Sequence, residues 1–200
     1  MNNNKKIKFS PDDNEFNSFI DKIKIFGRIY YNSFKFKKCP MNVSEYRKYE
    51  ITGENDNIFT KSGTNCYWVG TICENELEKS KEHKWKIKIL NTQYKYIMVG
   101  VAPIDFDINS SLYNNCGWYF YCNGSTLYSG PPHNFRCKTS NLSNVKDEII
   151  VVMNMKKRTL KFIINNEDKG ESYTDIPIDK SLVPAICLYD MNDSVEIIEC

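Results

Sequence analysis

The sequence has few residues of the kind that carry out catalysis. Among 200 residues there are only 2 histidines, His83 and His133, and neither has a sequence setting that suggests a nucleophile partner. Histidine is the side chain best suited to proton transfer near neutral pH. A glycine-rich loop of the kind that cradles phosphate groups is also missing. Because an active site needs several titratable groups that converge, we expect no enzymatic activity.

A strong net charge and a long apolar run are both missing. The chain carries 27 basic and 25 acidic residues, which gives a formal net charge of +2. So small an excess provides no attraction to nucleic acid or to acidic membrane surfaces. No run approaches the length of a membrane span, and the polar N-terminal stretch MNNNKKIKFSPDD lacks the apolar core of a signal peptide. We therefore expect a cytoplasmic protein without nucleic-acid or membrane partners.

Paired cysteine motifs are missing, although cysteine itself is not. None of the 8 cysteines belongs to a Cys-x-x-Cys pair. In a reducing compartment they are most simply small apolar residues and loop thiols. The alternative is a metal site formed by His133 and Cys137 together with Cys116 and Cys122. Their spacing matches no compact zinc module, so we expect neither a metal ion nor another cofactor.

Aromatic residues, in contrast, are plentiful, and strand patterns are clear. The chain has 13 Tyr and 11 Phe, enough to form a core that is stable alone. The stretch DEIIVVMNMKKRTLKFIINNEDKG, residues 147–170, predicts a hairpin with a polar turn at residues 154–158. Its first strand is continuously apolar, which is typical of a strand covered on both faces. In the return strand Leu160, Phe162 and Ile164 share one face.

Similar patterns recur along most of the chain. Residues 85–89, WKIKI, alternate between apolar and basic side chains, and residues 96–102 form another apolar run. Gly100 within that run indicates a bend or the close approach of another backbone. Short strands with regularly spaced turn signals predict an all-β fold, a β-sandwich. We expect its core to include Ile149, Val151, Leu160 and Phe162.

The N-terminal residues have a different, helical pattern. Ser10 is a capping residue, Pro11 suits the first helical position, and Asp12 and Asp13 favour the positive end of a helix. Apolar residues then follow at helical spacing, which predicts one amphipathic helix over residues 11–30. They are Phe16, Phe19, Ile20, Ile23, Phe26 and Tyr30. We expect residues 1–33 to form a tail and this helix, and residues 34–200 to form the sandwich domain.

The order and spacing of the strand sequences resemble those of the SPRY (B30.2-type) domain. The resemblance covers roughly residue 34 to the end. It rests on residues 85–89, 99–102, 117–121, 147–149, 153–155, 159–162, 183–185 and 194–196, and on Gly170. One departure is Asn154, where the family more often has Asp. Asparagine makes a similar hydrogen bond within a turn. The resemblance therefore still implies an all-β fold, a bent two-sheet antiparallel β-sandwich of the jelly-roll type.

This resemblance implies a non-catalytic adaptor that binds short peptides or folded proteins through loops at one rim. The implied partners include components of ubiquitin ligases or of signalling pathways. By position in the family pattern, three segments converge at the rim: the loop before Trp85, the loop after Ala102 and the last hairpin turn. The predicted partner-binding residues are Lys81, Pro103, Asp105, Tyr113, Tyr189, Asp190 and Met191. Tyrosine offers contact area at low entropic cost, methionine adapts its shape, and aspartate orients a partner.

Two alternatives stay open at this point. Tyr113 and Tyr189 could simply cap the core, with Asp105 and Asp190 as turn residues. The fold could also bind a glycan or a small ligand, because lectins share this architecture and a fold does not determine function. A peptide-binding protein should have a groove with a Tyr/Met floor. A lectin should have an aromatic platform beside clustered Asp and Asn residues, with or without calcium.

Overall fold

The computed structural model describes residues 34–130, 136–139, 148–168 and 170–200. Within this range Phe34–Cys200 is one compact unit. The predicted N-terminal helix, residues 11–30, lies outside the described residues, as does His133. The division of the chain at residue 34 into a helical segment and a sandwich domain therefore stays a prediction.

Thirteen β-strands and two short 3₁₀ helices make up the described part of the chain. The helices are Glu45–Arg47 and Leu112–Asn114. The strands are β1 (Tyr49–Thr52), β2 (Ile58–Lys61), β3 (Val69–Ile72), β4 (Glu82–Asn91), β5 (Ile97–Pro103), β6 (Gly117–Tyr121), β7 (Thr126–Gly130), β8 (Arg136–Thr139), β9 (Glu148–Asn154), β10 (Thr159–Ile164), β11 (Glu167–Asp168), β12 (Leu182–Leu188) and β13 (Ser194–Glu199).

The strands form two antiparallel sheets, which confirms the predicted sandwich. The first sheet has seven strands in the order β1-β2-β13-β4-β9-β10-β11. The second sheet has six, in the order β3-β12-β5-β6-β7-β8. Three of the six neighbouring pairs in the first sheet and two of the five in the second join strands that are not consecutive in the chain, so the sheets depend on long-range pairing as well as on hairpins.

The main core lies between the sheets and contains the predicted hairpin. Strands β9 and β10 pair as the predicted hairpin, with Phe162 opposite Val151 and Ile164 opposite Ile149. These four side chains and Leu160 are 0% exposed. The predicted core positions are therefore confirmed. Full burial of such side chains contributes about 1.5–3 kcal/mol each relative to exposure, so the hairpin is a major stabilising element.

A second apolar cluster covers the outer face of the second sheet. Met98, Tyr119 and Cys187 project from this face, and the loop after β5 folds over them with Phe106 and Leu112. Because this loop lies against the sheet, it does not project away from it. The path of the loop determines where Tyr113 lies.

Gly100 of β5 is a point of close backbone approach, as its place in an apolar strand indicates. A β-carbon at this position would lie 1.9 Å from the carbonyl oxygen of Trp118 in β6. Real β-carbons essentially never come so close to another atom. Only glycine therefore fits where β5 and β6 meet.

The sandwich has two ends, and strand register assigns each loop to one of them. The turn between β12 and β13 follows Leu188, which pairs with Ile97 at the start of β5. We call this the β12–β13 end. At the opposite end, Leu182 pairs with Pro103.

Candidate functional site

An aromatic row crosses the second sheet at the β12–β13 end. It takes one ring from each of five neighbouring strands: Trp68 directly before β3, Tyr189 directly after β12, Tyr96 directly before β5, Tyr121 in β6 and Tyr128 in β7. Consecutive ring centroids are 5.2–6.3 Å apart. Trp68 also contacts Tyr121, with centroids 5.9 Å apart, so the first four rings form a closed cluster. All five side chains are half-buried. We call these five residues the aromatic row.

The rings of the aromatic row are mostly inclined to one another rather than coplanar. Tyr96 meets Tyr189 at 84°, and Tyr121 meets Tyr128 at 87°. Tyr96 and Tyr121 are the exception, with an angle of 26°. Edge-to-face contact is a favoured arrangement of aromatic pairs and is worth about 0.5–1.5 kcal/mol beyond area burial.

Large exposed apolar side chains gather around this row. Tyr94 packs against Tyr96 and is 50% exposed, and Met191 in the β12–β13 turn is 51% exposed. Tyr46 and Tyr113 are 37% and 46% exposed. These four are the majority of the large apolar side chains that are exposed in the described part of the chain. Clustered exposure of this kind marks an interaction surface, whereas single exposed residues do not.

Arg47 lies beside the β3 end of the aromatic row. Its guanidinium group is 5.6 Å from the ring centre of Tyr46 and 5.3 Å from that of Tyr67, and Nη2 donates a 3.2 Å hydrogen bond to Tyr67 Oη. This hydrogen bond, with a second one from Ser111, lowers the pKa of the Tyr67 hydroxyl. Among the described residues no acidic side chain forms an ion pair with Arg47. The rings of Tyr46 and Tyr67 thus hold the Arg47 cation, which has no ion-pair partner among the described residues.

A buried lysine holds the loop that carries Tyr67 and Trp68. Lys61 is 0% exposed, and its Nζ donates hydrogen bonds to the carbonyl oxygens of Gly63 at 2.8 Å and Asn65 at 2.7 Å. Burial lowers the pKa of this amine, although nearby groups that include Asp193 oppose that change. Because the ammonium group satisfies two carbonyl oxygens, it fixes the path of the chain just before Tyr67.

The last hairpin turn supplies three of the predicted site residues, and they differ in exposure. Tyr189 belongs to the aromatic row, and Met191 is exposed. Asp190 is only 9% exposed. Its backbone N–H donates to Asp193 Oδ2, and its Oδ1 accepts a hydrogen bond from the Cys66 thiol. Asp190 therefore shapes the turn, while Tyr189 and Met191 offer surface to a partner.

Tyr113 comes close to this turn through Tyr67. It lies in the 3₁₀ helix Leu112–Asn114, next to Ser111, whose hydroxyl hydrogen-bonds the Tyr67 side chain. The backbone N–H of Tyr67 in turn donates to the carbonyl oxygen of Tyr189. The structure thus brings the later part of the second predicted segment, around Tyr113, close to the third segment at the β12–β13 end.

The remaining predicted residues lie at the opposite end of the sandwich. Lys81 directly precedes β4, whose 10 residues separate it from Asn91, the partner of Ser194 at the start of β13. Asp105 follows β5 and forms an ion pair with Lys180 there. Hence the expected convergence of all three segments at one rim does not occur, because the strands of both sheets run between the two groups.

Pro103 ends β5 instead of starting the loop, and it is buried. Lys81 is exposed and pairs with Glu78 at 2.6 Å. Partner contacts by any of the seven predicted residues stay a prediction.

Sequence analysis did not identify most of the aromatic row. The sequence patterns place Trp68, Tyr96 and Tyr121 only within strands and Tyr128 in an irregular segment. They give no role to Tyr67 or Lys61. One signal was present: several of the buried strands have an aromatic residue at one end. The strand order needed to join these residues into a row cannot be derived from that signal alone.

Two further findings concern the alternative metal site and membrane-spanning segments. Cys122 lies in the main core and Cys116 is half-buried, and no group of three or more potential metal ligands occurs among the described residues. The side chains of His133 and Cys137, which the alternative metal site requires, are not among those described. No helix in the described ranges has the length and apolarity needed to cross a membrane.

The architecture and the aromatic surface define a β-sandwich with a candidate binding site at one end. A family model described as SPRY domain matches residues 82–200. The match spans more than half of the chain, and the chain belongs to the SPRY domain family. SPRY domains are generally non-catalytic modules that interact with proteins. The B30.2 subtype stays a prediction.

Solved structures with the same fold agree with this assignment. The SPRY domain of human HERC1 is 20% identical and covers 76% of this chain and 98% of its own, with a TM-score of 0.61. The TRIM65 PSpry domain is 9% identical and covers 90% and 99%, with a TM-score of 0.59. A human SPRY domain is 14% identical and covers 75% and 96%, with a TM-score of 0.57. Among curated proteins no sequence matches the chain.

Proposed function

We propose that this chain is a non-catalytic adaptor that binds a protein or peptide partner through the aromatic row and the residues around it. Tyr189, Met191 and Tyr113 form part of the contact surface, and Asp190 shapes the turn between them. Lys81 and Asp105 belong to a second and separate surface at the opposite end, where Pro103 ends β5. The proposal extends to a cytoplasmic role and to partners such as ubiquitin-ligase or signalling components.

The observation that carries this proposal is the concentration of exposed apolar side chains beside the row. Tyr46, Tyr94, Tyr113 and Met191 are exposed there. Aromatic and methionine side chains are enriched in protein interfaces, because they bury a large area for few rotatable bonds or adapt their shape. The general role of SPRY domains in protein interaction supports the same conclusion.

The glycan alternative has less support from the geometry. Sugar rings stack on aromatic faces that lie open side by side, but most rings of the row are steeply inclined to their neighbours. A lectin-like site would also need exposed carboxylates beside the platform. Asp190 and Asp193 are 9% and 1% exposed, so their carboxylates do not face a ligand.

Selection from a random peptide library on the immobilised full-length chain tests the proposal. We expect the wild type to enrich related peptides. Tyr189→Ala and Met191→Ala should each weaken their binding about tenfold, as truncation of an interface hot spot does. Ile198→Ala is the matched control, because Ile198 is also exposed but lies in β13 of the first sheet.

The proposal fails if enriched peptides bind both aromatic-row variants as tightly as the wild type. It also fails if no peptide is enriched, and if the wild type instead binds an oligosaccharide on an array that the Tyr189→Ala variant does not bind. Thermal unfolding of each variant, measured alongside, shows that a loss of binding does not come from a loss of folding.

A further inference from the structure

We infer that the β12–β13 turn, which presents Tyr189 and Met191, is a pH-sensitive switch that opens when the buried carboxyl group of Asp193 loses its proton. The inference rests on the proposed function, because it concerns regulation of the same candidate site. It combines the burial of two aspartates, the position of one buried lysine and the hydrogen bonds that close the turn.

Asp193 is almost completely withdrawn from water. It is 1% exposed, and Asp190, three residues earlier in the same turn, is 9% exposed. Asp193 Oδ2 accepts a 3.1 Å hydrogen bond from the backbone N–H of Asp190, whereas Oδ1 has no hydrogen-bond partner among the described residues. A buried carboxylate oxygen without a donor is costly, but a protonated carboxyl group is neutral and avoids most of that cost. The surroundings therefore favour the protonated form of Asp193.

The charges beneath the turn do not balance when both aspartates are ionised. Lys61 is the only buried cationic side chain in the described part of the chain, and it interacts electrostatically with both carboxyl groups. Its Nζ donates to the carbonyl oxygens of Gly63 and Asn65. Within the described ranges it forms an ion pair with neither aspartate. One buried cation thus faces two carboxyl groups, and a proton kept on one of them restores the balance.

The titratable groups on neighbouring elements assign that proton to Asp193 rather than to Asp190. These groups are Lys61 of β2, Cys66 before β3, Lys95 before β5, and Tyr121 and Cys122 at the end of β6. The Cys66 thiol donates to Asp190 Oδ1, so Asp190 has a donor from a neighbouring loop and is the less buried of the two. Burial raises the pKa values of Tyr121 and Cys122, so both stay neutral below about pH 8.

The carboxyl group of Asp193 also closes the turn. It accepts the backbone N–H of Asp190, and the backbone N–H of Asp193 donates to the carbonyl oxygen of Asp190 at 3.1 Å. Met191 lies between the two and is exposed. An ionised Asp193 gains hydration only if its side chain leaves this position, and that movement breaks its hydrogen bond to Asp190. The turn then opens, and Tyr189 and Met191 lose their fixed positions.

The direction of the pH effect follows from the same burial. Burial raises the pKa of Asp193 above its ordinary value of 3.8, and the Asp190 charge adds to the increase, although hydrogen bonds from Thr92 and from backbone N–H groups oppose it. The stability that this proton provides is therefore fully present below the ordinary pKa and is lost as pH rises through the raised one. A partner should bind more tightly on the acid side, because an ordered turn loses less conformational freedom on binding.

Urea unfolding of the full-length chain at a series of pH values between about 4 and 8 tests the inference. The wild type is compared with Asp193→Asn, whose side chain is neutral at every pH, and with Asp179→Asn as the control, because Asp179 is exposed. We expect the urea midpoint of the wild type to fall relative to that of Asp193→Asn as pH rises, and the difference then to become constant. Asp179→Asn should follow the wild type.

The methyl signal of Met191 in NMR spectra of the wild type is a second readout that needs no change at Asp193. Met191→Leu assigns the signal. We expect the signal to shift with the same pH midpoint as the difference in urea unfolding. A library-selected peptide should bind about threefold more tightly on the acid side of that midpoint than on the alkaline side. In Asp193→Asn both the shift and the difference in affinity should be absent.

The inference is overturned if the urea midpoints of the wild type and Asp193→Asn keep a constant difference, or if the wild type gains on the variant as pH rises. It is also overturned if the Met191 signal does not depend on pH, or if its shift persists in Asp193→Asn. A pH-independent turn, together with library-selected peptides that are lost in Tyr189→Ala, would contradict the inference and leave the proposed function standing. A pH-dependent turn, together with library-selected peptides that Tyr189→Ala retains, would support the switch and contradict the proposed function itself.

Discussion

Tyr96 and Tyr189 meet edge to face, with ring centroids 5.5 Å apart and an interplanar angle of 84°. One precedes β5 and the other follows β12, and these two strands are neighbours in the second sheet. The contact therefore exists only when the sheet has assembled. It is one of the contacts that hold the aromatic row together, so the candidate site depends on the long-range pairing of β5 and β12.

The two ends of the sandwich should differ in their effect on partner binding. We expect Met191→Ala combined with Tyr113→Ala to reduce binding of a library-selected peptide about tenfold or more, since both residues border the row. Lys81→Ala combined with Asp105→Ala should change it less than about threefold, because exposed ion pairs contribute little. Isothermal titration measures both. The reverse order of effects would move the site to the opposite end.

Replacement of the buried lysine should lower stability and binding together. Lys61→Met keeps the length and removes the donors to Gly63 and Asn65. We expect a loss of about 1–3 kcal/mol in the free energy of unfolding for buried carbonyl groups left unsatisfied. Lys88→Met is the control, because Lys88 is exposed on β4. Urea unfolding measures the difference.

Peptide titration of Lys61→Met, well below its unfolding midpoint, should also show weaker binding than for Lys88→Met. Equal stability and equal affinity of the two variants would show that Lys61 does not position the loop before Tyr67.

Gly100→Ala should prevent normal folding. A β-carbon 1.9 Å from the Trp118 carbonyl oxygen forces β5 and β6 apart, and we expect a loss above about 3 kcal/mol, beyond ordinary overpacking. Gly124→Ala is the control, since a β-carbon there meets nothing within 4 Å although its φ is +85°. It should cost about 1 kcal/mol. Thermal unfolding followed by circular dichroism compares them, and similar midpoints would contradict the account of Gly100.

Gly100 also shows what the sequence could predict. A lone glycine within an apolar strand indicated a bend or a close backbone approach. The continuous apolar run predicted β9, and alternation predicted β10. Both features depend on residues near one another in the chain. Lys61 was missed because a lysine within a strand normally faces water. The aromatic row was missed because its five rings come together only through the strand order β3-β12-β5-β6-β7, which local patterns do not encode.

Two of the predicted site residues, Lys81 and Asp105, also show that local sequence patterns do not encode which loops come together. Lys81 and Asp105 were placed with Tyr189 by resemblance, but strand register separates them by the length of the sheets. A strand of 10 residues spans about 33 Å. One short peptide therefore cannot pack against Tyr189 and also against Lys81 and Asp105.

Alkaline pH should destabilise the fold. Burial raises the pKa values of the Cys73, Cys122 and Cys187 thiols above their ordinary value of 9.0. The folded state therefore keeps protons that the unfolded state loses, and the free energy of unfolding falls as pH rises above about 9. Each thiol adds a slope of up to about 1.4 kcal/mol per pH unit. Lys61 acts in the opposite direction, because its pKa is lowered, but it is a single group.

Urea unfolding with reductant at pH 8, 9 and 10 measures this slope. Cys187→Ala should be less steep than the wild type, because one of the three thiols is gone. Stability that is constant or rises over this range would contradict the burial of these thiols.

The most direct test of the account follows the three indole N–H signals of the chain by NMR after nitrogen-15 labelling of tryptophan. Trp68 belongs to the aromatic row, whereas Trp85 is 1% exposed in the core, and Trp68→Phe assigns the first signal. On titration with the tightest library-selected peptide, we predict that the Trp68 signal shifts to saturation while the Trp85 signal stays in place. Saturable binding of that peptide with an unchanged Trp68 signal would contradict a binding site on the aromatic row.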